Sequence, residues 1–175
     1  KKKELLNKIK IKKALISVFD KTNIIDISKF LISQKIEIYS SGGTYKFLKE
    51  NNIKVNEVSK YTKSPEILEG RVKTLHPKIH GGILAKRNVP DHLKELKKNK
   101  IILLDLVIVN LYPFKKTVAS KSSFKECIEN IDIGGPTLIR AAAKNFEFVT
   151  TMTDPNDYQK FIDEMKKNKN HISKN

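Results

Sequence analysis

The chain has 175 residues, 39% of them hydrophobic, which suits one domain with a buried core. Its 35 Lys and Arg outnumber 19 Asp and Glu, and the formal charge of +16 favours phosphate-bearing partners. A single cysteine, Cys127, excludes an intramolecular disulfide, and no apolar run approaches the roughly 18 residues of a membrane span, so a reducing, cytoplasmic setting with no membrane partner is expected.

Residues 12–19 are a short apolar, β-branched run, followed by Asp20-Lys21-Thr22-Asn23 as turn and helix cap and by helical spacing over 24–34. Residues 37–40 read as a second strand, Ser41-Gly42-Gly43-Thr44 as the turn into a helix over 45–51, and 55–58 as a third strand. This alternation predicts right-handed βαβ crossovers and an α/β fold, a parallel sheet flanked by helices on both faces. Residues 70–84 follow neither period and gather Arg71, Lys73, Thr74, His76, Pro77, His80 and the pair Gly81-Gly82, which predicts a functional loop for an anion.

The most apolar run, 103–110, predicts a central strand stopped by Pro113. Asn110 and Tyr112 then lie at its carboxyl end, where open α/β sheets place their ligands. Helices are expected over 124–130 and 137–144, the second with Pro136 at its first position, then a strand over 148–152. Asp154-Pro155 caps a final helix through Met165. Cys127, with Phe124 and Ile128 on the same helical face, reads as core. The expected organisation is a basic extension over 1–11, one domain over 12–168 and a disordered polar tail over 169–175. Lysine runs near the ends read as solvated tails, so nucleic acid is not the expected partner.

Ser41-Gly42-Gly43-Thr44 offers amides, hydroxyls and a helix N-terminus to an anion, although its spacing is neither a Walker loop nor a dinucleotide fingerprint. Lys21, after the first strand, reaches the same sheet edge. Asp132 is either a cap on the Gly134 and Gly135 amides or a group that orients a substrate. Arg140 and Lys144 share a helical face packed by three alanines, so Lys144 is either salt-bridged or desolvated toward a pKa useful for proton exchange. His76 and His80 have the i, i+4 spacing of a zinc pair, but Pro77 between them and the want of nearby carboxylates or thiols argue against a metal.

Together the residues 17–22, Ser41-Gly42-Gly43-Thr44, 70–77, 110–114, 131–136 and 140–145 resemble the IMP cyclohydrolase domain of the bifunctional purine biosynthesis family PurH. The six blocks run in the family's order across nearly the whole chain. The resemblance implies a methylglyoxal synthase-like fold and dehydrative closure of 5-formyl-AICAR to IMP, catalysed by a cyclic amidine hydrolase without metal or organic cofactor. It also implies a homodimer, and a following AICAR transformylase domain that is not expected in this sequence. Its nucleotide site comprises Asp20, Lys21, Ser41, Gly42, Gly43, Thr44, Arg71, Val72, Lys73, Thr74, Asn110, Asp132 and Gly134. Catalysis rests on Lys73, Tyr112, Asp132 and Lys144, with Lys144 moving protons, Lys73 meeting the oxyanion, and Asp132 and Tyr112 orienting the carboxamide. Phe19 departs from the Ser that many relatives carry there. Two other functions are open to the fold: a methylglyoxal synthase-like phosphate lyase, which leaves Tyr112 and Lys144 unexplained, and a non-catalytic nucleotide-binding regulatory domain.

Overall fold

The structure is a computed structural model that describes residues 8–173. Strand β1 (Lys8–Lys10) pairs antiparallel with the last strand, β7 (His171–Ser173). The main sheet takes β2 (Lys13–Val18), β3 (Glu37–Ser40), β4 (Asn56–Glu57), β5 (Leu106–Asn110) and β6 (Thr150–Met152), in the order β4-β3-β2-β5-β6. Every neighbouring pair in it is parallel. After β2 the chain builds outward through β3 and β4, then returns to the other side of β2 as β5. The order therefore reverses between β2 and β5, and a crevice opens at their carboxyl ends.

Alternate residues of each strand face opposite layers, as the pleat requires. Ala14, Ile16 and Val18 pack with Ile24, Ile27 and Leu31 of α1 (Ile24–Ser33) and with Phe161 and Met165 of α9 (Tyr158–Lys167). Leu15, Val107 and Val109 join Ile79 and Ile83 of α4 (Pro77–Leu84) and Leu138 and Ala142 of α8 (Gly134–Lys144) on the other side. Helices cover both faces, as the sequence predicts. Between these elements run α2 (Gly42–Glu50), α3 (Val58–Thr62), α5 (Pro90–Lys98), α6 (Phe114–Ala119) and α7 (Phe124–Glu129).

Several local expectations are corrected. Residues 77–84 form α4, not a loop: Pro77 takes the first helical position and His76 caps it, its Nδ1 accepting from the Lys78 amide at 3.0 Å. The pair Gly81-Gly82 serves packing rather than an anion, because a Cβ on Gly82 would stand 2.3 Å from the Ile102 carbonyl oxygen. Helix α8 begins at Gly134, three residues early, so Pro136 falls inside its first turn. The third strand is only Asn56–Glu57 before α3 begins, and helices α5 and α6 lie where none was expected. Residues 171–173, expected as part of a disordered tail, are strand β7, with Ile172 buried beside Ile9. Phe124 is 83% exposed and Cys127 and Ile128 are incompletely buried, so α7 does not present the expected core face.

Asp105 fixes the entry to β5. Although 4% exposed, its carboxylate pairs with Arg87 at 2.7 Å and accepts from the Lys12 and Lys13 amides at 2.7 and 2.8 Å. Asp105→Ala would leave a half-buried guanidinium and two amides without that acceptor. The substitution is expected to destabilise the fold by about 3–5 kcal/mol, measurable as a lowered urea midpoint.

Candidate active site

A cleft of about 520 Å³, ample for a nucleotide, opens at the carboxyl ends of β2 and β5. Of the expected site residues, Lys21, Ser41, Gly43, Thr44, Arg71, Lys73, Thr74, Asn110, Tyr112, Asp132 and Gly134 line it. They come from the loops after β2, β3 and β5, from the segment before α4 and from the start of α8. Widely separated blocks thus meet at one sheet edge.

On the β3 side, Ser41 is the N-cap of α2 and is buried, while the Thr44 hydroxyl holds the end of β2 by donating to the Val18 carbonyl at 3.0 Å. Lys73 threads between two glycines of positive φ, Gly42 (+55°) and Gly70 (+84°). A Cβ on Gly70 would lie 2.7 Å from Lys73 Cε, and one on Gly42 would lie 3.1 Å from Nζ. These glycines therefore give the lysine its path as well as turning the chain.

Opposite them, Asp132 stands before α8, its Oδ1 accepting from the Gly135 amide at 2.8 Å and its Oδ2 from the Tyr112 amide at 3.4 Å. Both roles open to Asp132 in the sequence are compatible with this geometry, since the carboxylate caps the helix and also lines the cleft. A Cβ on Gly135 would meet the Asp132 oxygens at 2.9 and 3.0 Å, which reserves the position for glycine. Gly134 packs the same helix end on Thr74, with 3.2 Å between its notional Cβ and Thr74 Oγ1.

Asn110 lines the cleft, but its side chain shapes the β2–α1 loop. Its Oδ1 accepts from the Phe19 and Asp20 amides at 2.7 and 2.8 Å, and its Nδ2 donates to the Asp20 carbonyl at 2.8 Å. Asp20 is not itself a lining residue. The Thr22 hydroxyl and amide, with smaller help from Lys116 and Lys21, hold its exposed carboxyl below the usual range. Val72 does not line the cleft and makes a single bridge with Ile67. Lys21 bends back, its Nζ donating to the Phe19 carbonyl at 3.3 Å. Phe19 contributes a feature that the sequence leaves unmarked: its ring meets that of Tyr112 edge to face, centroids 5.4 Å apart at 83°, on the cleft wall.

The structure does not bring Lys144 into the cleft. It is exposed on the last turn of α8, about 15 Å along the axis from Gly134 at 1.5 Å per residue. The expected desolvation fails because Ala141 and Ala142 face the core while Ala143 and Lys144 face solvent. Glu66, Glu69 and Glu129 were also missed as neighbours of this basic site. Nothing in the periodicity marks them, and the contacts of Glu66 and Glu129 are long-range.

Residues 23–137, more than half of the chain, match the family described as MGS-like domain. The chain belongs to the MGS-like domain family. It is 56% identical over 157 residues to the bifunctional purine biosynthesis protein PurH of Clostridium perfringens strain SM101, a match covering 90% of this chain and 31% of that protein. The PurH of Clostridium botulinum strain Langeland is 58% identical over 158 residues, with 90% of this chain and 32% of that protein covered. This MGS-like domain thus spans about a third of the length of the curated relatives it matches. The crystal structure of ForH superposes with a TM-score of 0.76 at 32% identity, covering 90% of this chain and 81% of that one.

Proposed function

We propose that this chain closes the purine ring, converting 5-formyl-AICAR to IMP with loss of water. The observation that carries the reading is the placement of Lys73 across one cleft from Asp132 and Tyr112, beside the N-terminus of α2. The Gly43 and Thr44 turn and Lys21 supply a phosphate subsite, with amides and a helix dipole directed at the anion. Closure requires the carboxamide nitrogen, a poor nucleophile, to attack the formyl carbon. That nitrogen must lose a proton as the formyl oxygen gains charge, and the oxygen must then leave as water. The Lys73 ammonium stabilises the oxyanion and protonates it. Asp132 takes the amide proton and returns it to the new hydroxyl, which leaves as water while Lys73 recovers a proton from the former formamide nitrogen; Tyr112, braced by Phe19, orients the carboxamide. The proton transfer implied for Lys144 by resemblance passes to Asp132, because Lys144 stands outside the cleft. Holding amide and formyl in contact supplies much of the remaining acceleration.

A homodimer, a cytoplasmic location and a transformylase domain in cis in the full-length protein belong to the same proposal. It is tested by ultraviolet absorbance as the purine ring closes, with purified chain and 5-formyl-AICAR and no folate present. Ring closure is expected, whereas AICAR with 10-formyltetrahydrofolate is expected to give no IMP. Absence of closure in a folded preparation that binds IMP would favour a regulatory nucleotide-binding role.

A further inference from the structure

The Arg71 guanidinium in the cleft, and the Gly42 amide between the lining residues Ser41 and Gly43, are already occupied by carboxylates of this chain. The Gly42 amide, at the first turn of α2, donates to Glu66 Oε1 at 2.7 Å. The Arg71 guanidinium is paired with the Glu129 carboxylate, and both residues line the cleft. Glu66 follows α3 and Glu129 ends α7, so two unrelated segments make the same kind of contact. Both are exposed and make no contribution to the core.

A protein with 35 cationic side chains has no difficulty attracting small anions; its difficulty is rejecting the wrong ones. We propose that Glu66 and Glu129 are specificity-determining residues, internal anions that inorganic phosphate displaces poorly and a nucleoside monophosphate displaces together. The nucleotide would bring its phosphate to the Gly42 amide and a carbonyl-type oxygen of its base to Arg71. A free phosphate compensates one displaced carboxylate at most and stays near the other's charge. Carrying both acceptors in one molecule makes the second exchange intramolecular, which favours the nucleotide without any new contact.

This inference rests on the reading of the cleft as a nucleotide site, and the experiment separates the two. Inorganic phosphate and IMP are titrated calorimetrically, at fixed ionic strength, into the unaltered chain and into the variants Glu66→Gln, Glu66→Ala, Glu129→Gln and Arg71→Ala. The Glu66 variants and Glu129→Gln are expected to bind phosphate roughly 3- to 10-fold more tightly, the range for losing a partly exposed, charge-assisted competitor. IMP affinity should change less, so selectivity for IMP over phosphate falls. Arg71→Ala should weaken IMP. If IMP binds the unaltered chain but phosphate affinity is unchanged or lower in Glu66→Gln, the carboxylates merely brace their loops and the inference is overturned. If the unaltered chain binds phosphate and not IMP, the nucleotide reading fails and the inference falls with it.

Discussion

Lys73→Met is expected to lower kcat for ring closure by about 10²- to 10³-fold while IMP affinity stays within about tenfold. Methionine has the length to follow the same path between Gly42 and Gly70, so the substitution removes the charge with little change in shape. The charge is needed once the formyl oxygen becomes an oxyanion, so its loss should appear in the rate more than in ground-state binding. Gly70→Ala provides an independent check. A Cβ there would stand 2.7 Å from Lys73 Cε on a backbone of φ +84°, so the ammonium must move. Its rate should fall as well, although Lys73 remains. Equal losses of rate and IMP affinity in Lys73→Met would place the lysine on the phosphate instead, a real competitor because Nζ passes close to Gly42.

Asp132→Asn is expected to reduce kcat roughly 10²- to 10⁴-fold, the span associated with loss of a positioned general base. An asparagine keeps an oxygen for the Gly135 amide, which in the native protein donates to Asp132 Oδ1 at 2.8 Å. Stability should therefore change little. Asp132→Ala removes the cap too, adding about 1 kcal/mol of destabilisation to the same kinetic loss. Comparing thermal unfolding and turnover across the pair separates capping from catalysis. If the asparagine variant kept more than a third of the native rate, the carboxylate would be structural alone.

The parallel sheet was legible because its central strands are buried on both faces and so read as unbroken apolar runs, such as Val107-Ile108-Val109. Most of the site was legible for a related reason: residues that follow such strands, Ser41 to Thr44 and Asn110 to Tyr112, must emerge at one edge. Helix α4 was obscured because its interior glycines imitate a loop, when what they satisfy is the approach of the Ile102 carbonyl. Lys144 was expected beside the cleft and does not line it: helical spacing identifies a shared face and says nothing about which end of the helix approaches the cleft. Asn110 was expected in the site and lines the cleft, but its three hydrogen bonds to the backbone of Phe19 and Asp20 emerge only once β2 and β5 are side by side. Glu66 and Glu129 were hidden by separations of 24 and 58 residues from their partners, beyond the reach of any local pattern.

The pairing of β1 with β7 brings Lys10 opposite His171 and Lys8 opposite Ser173, away from the cleft-forming ends of β2 and β5. A polypeptide cut to residues 8–173 could be joined from 173 to 8 by a short flexible linker and opened instead at the exposed Asn51-Asn52 turn between α2 and β4, to give a circular permutant. The sheet order and the cleft would then survive a change in where the chain begins, and the order in which the strands leave the ribosome could be altered independently of the site they build.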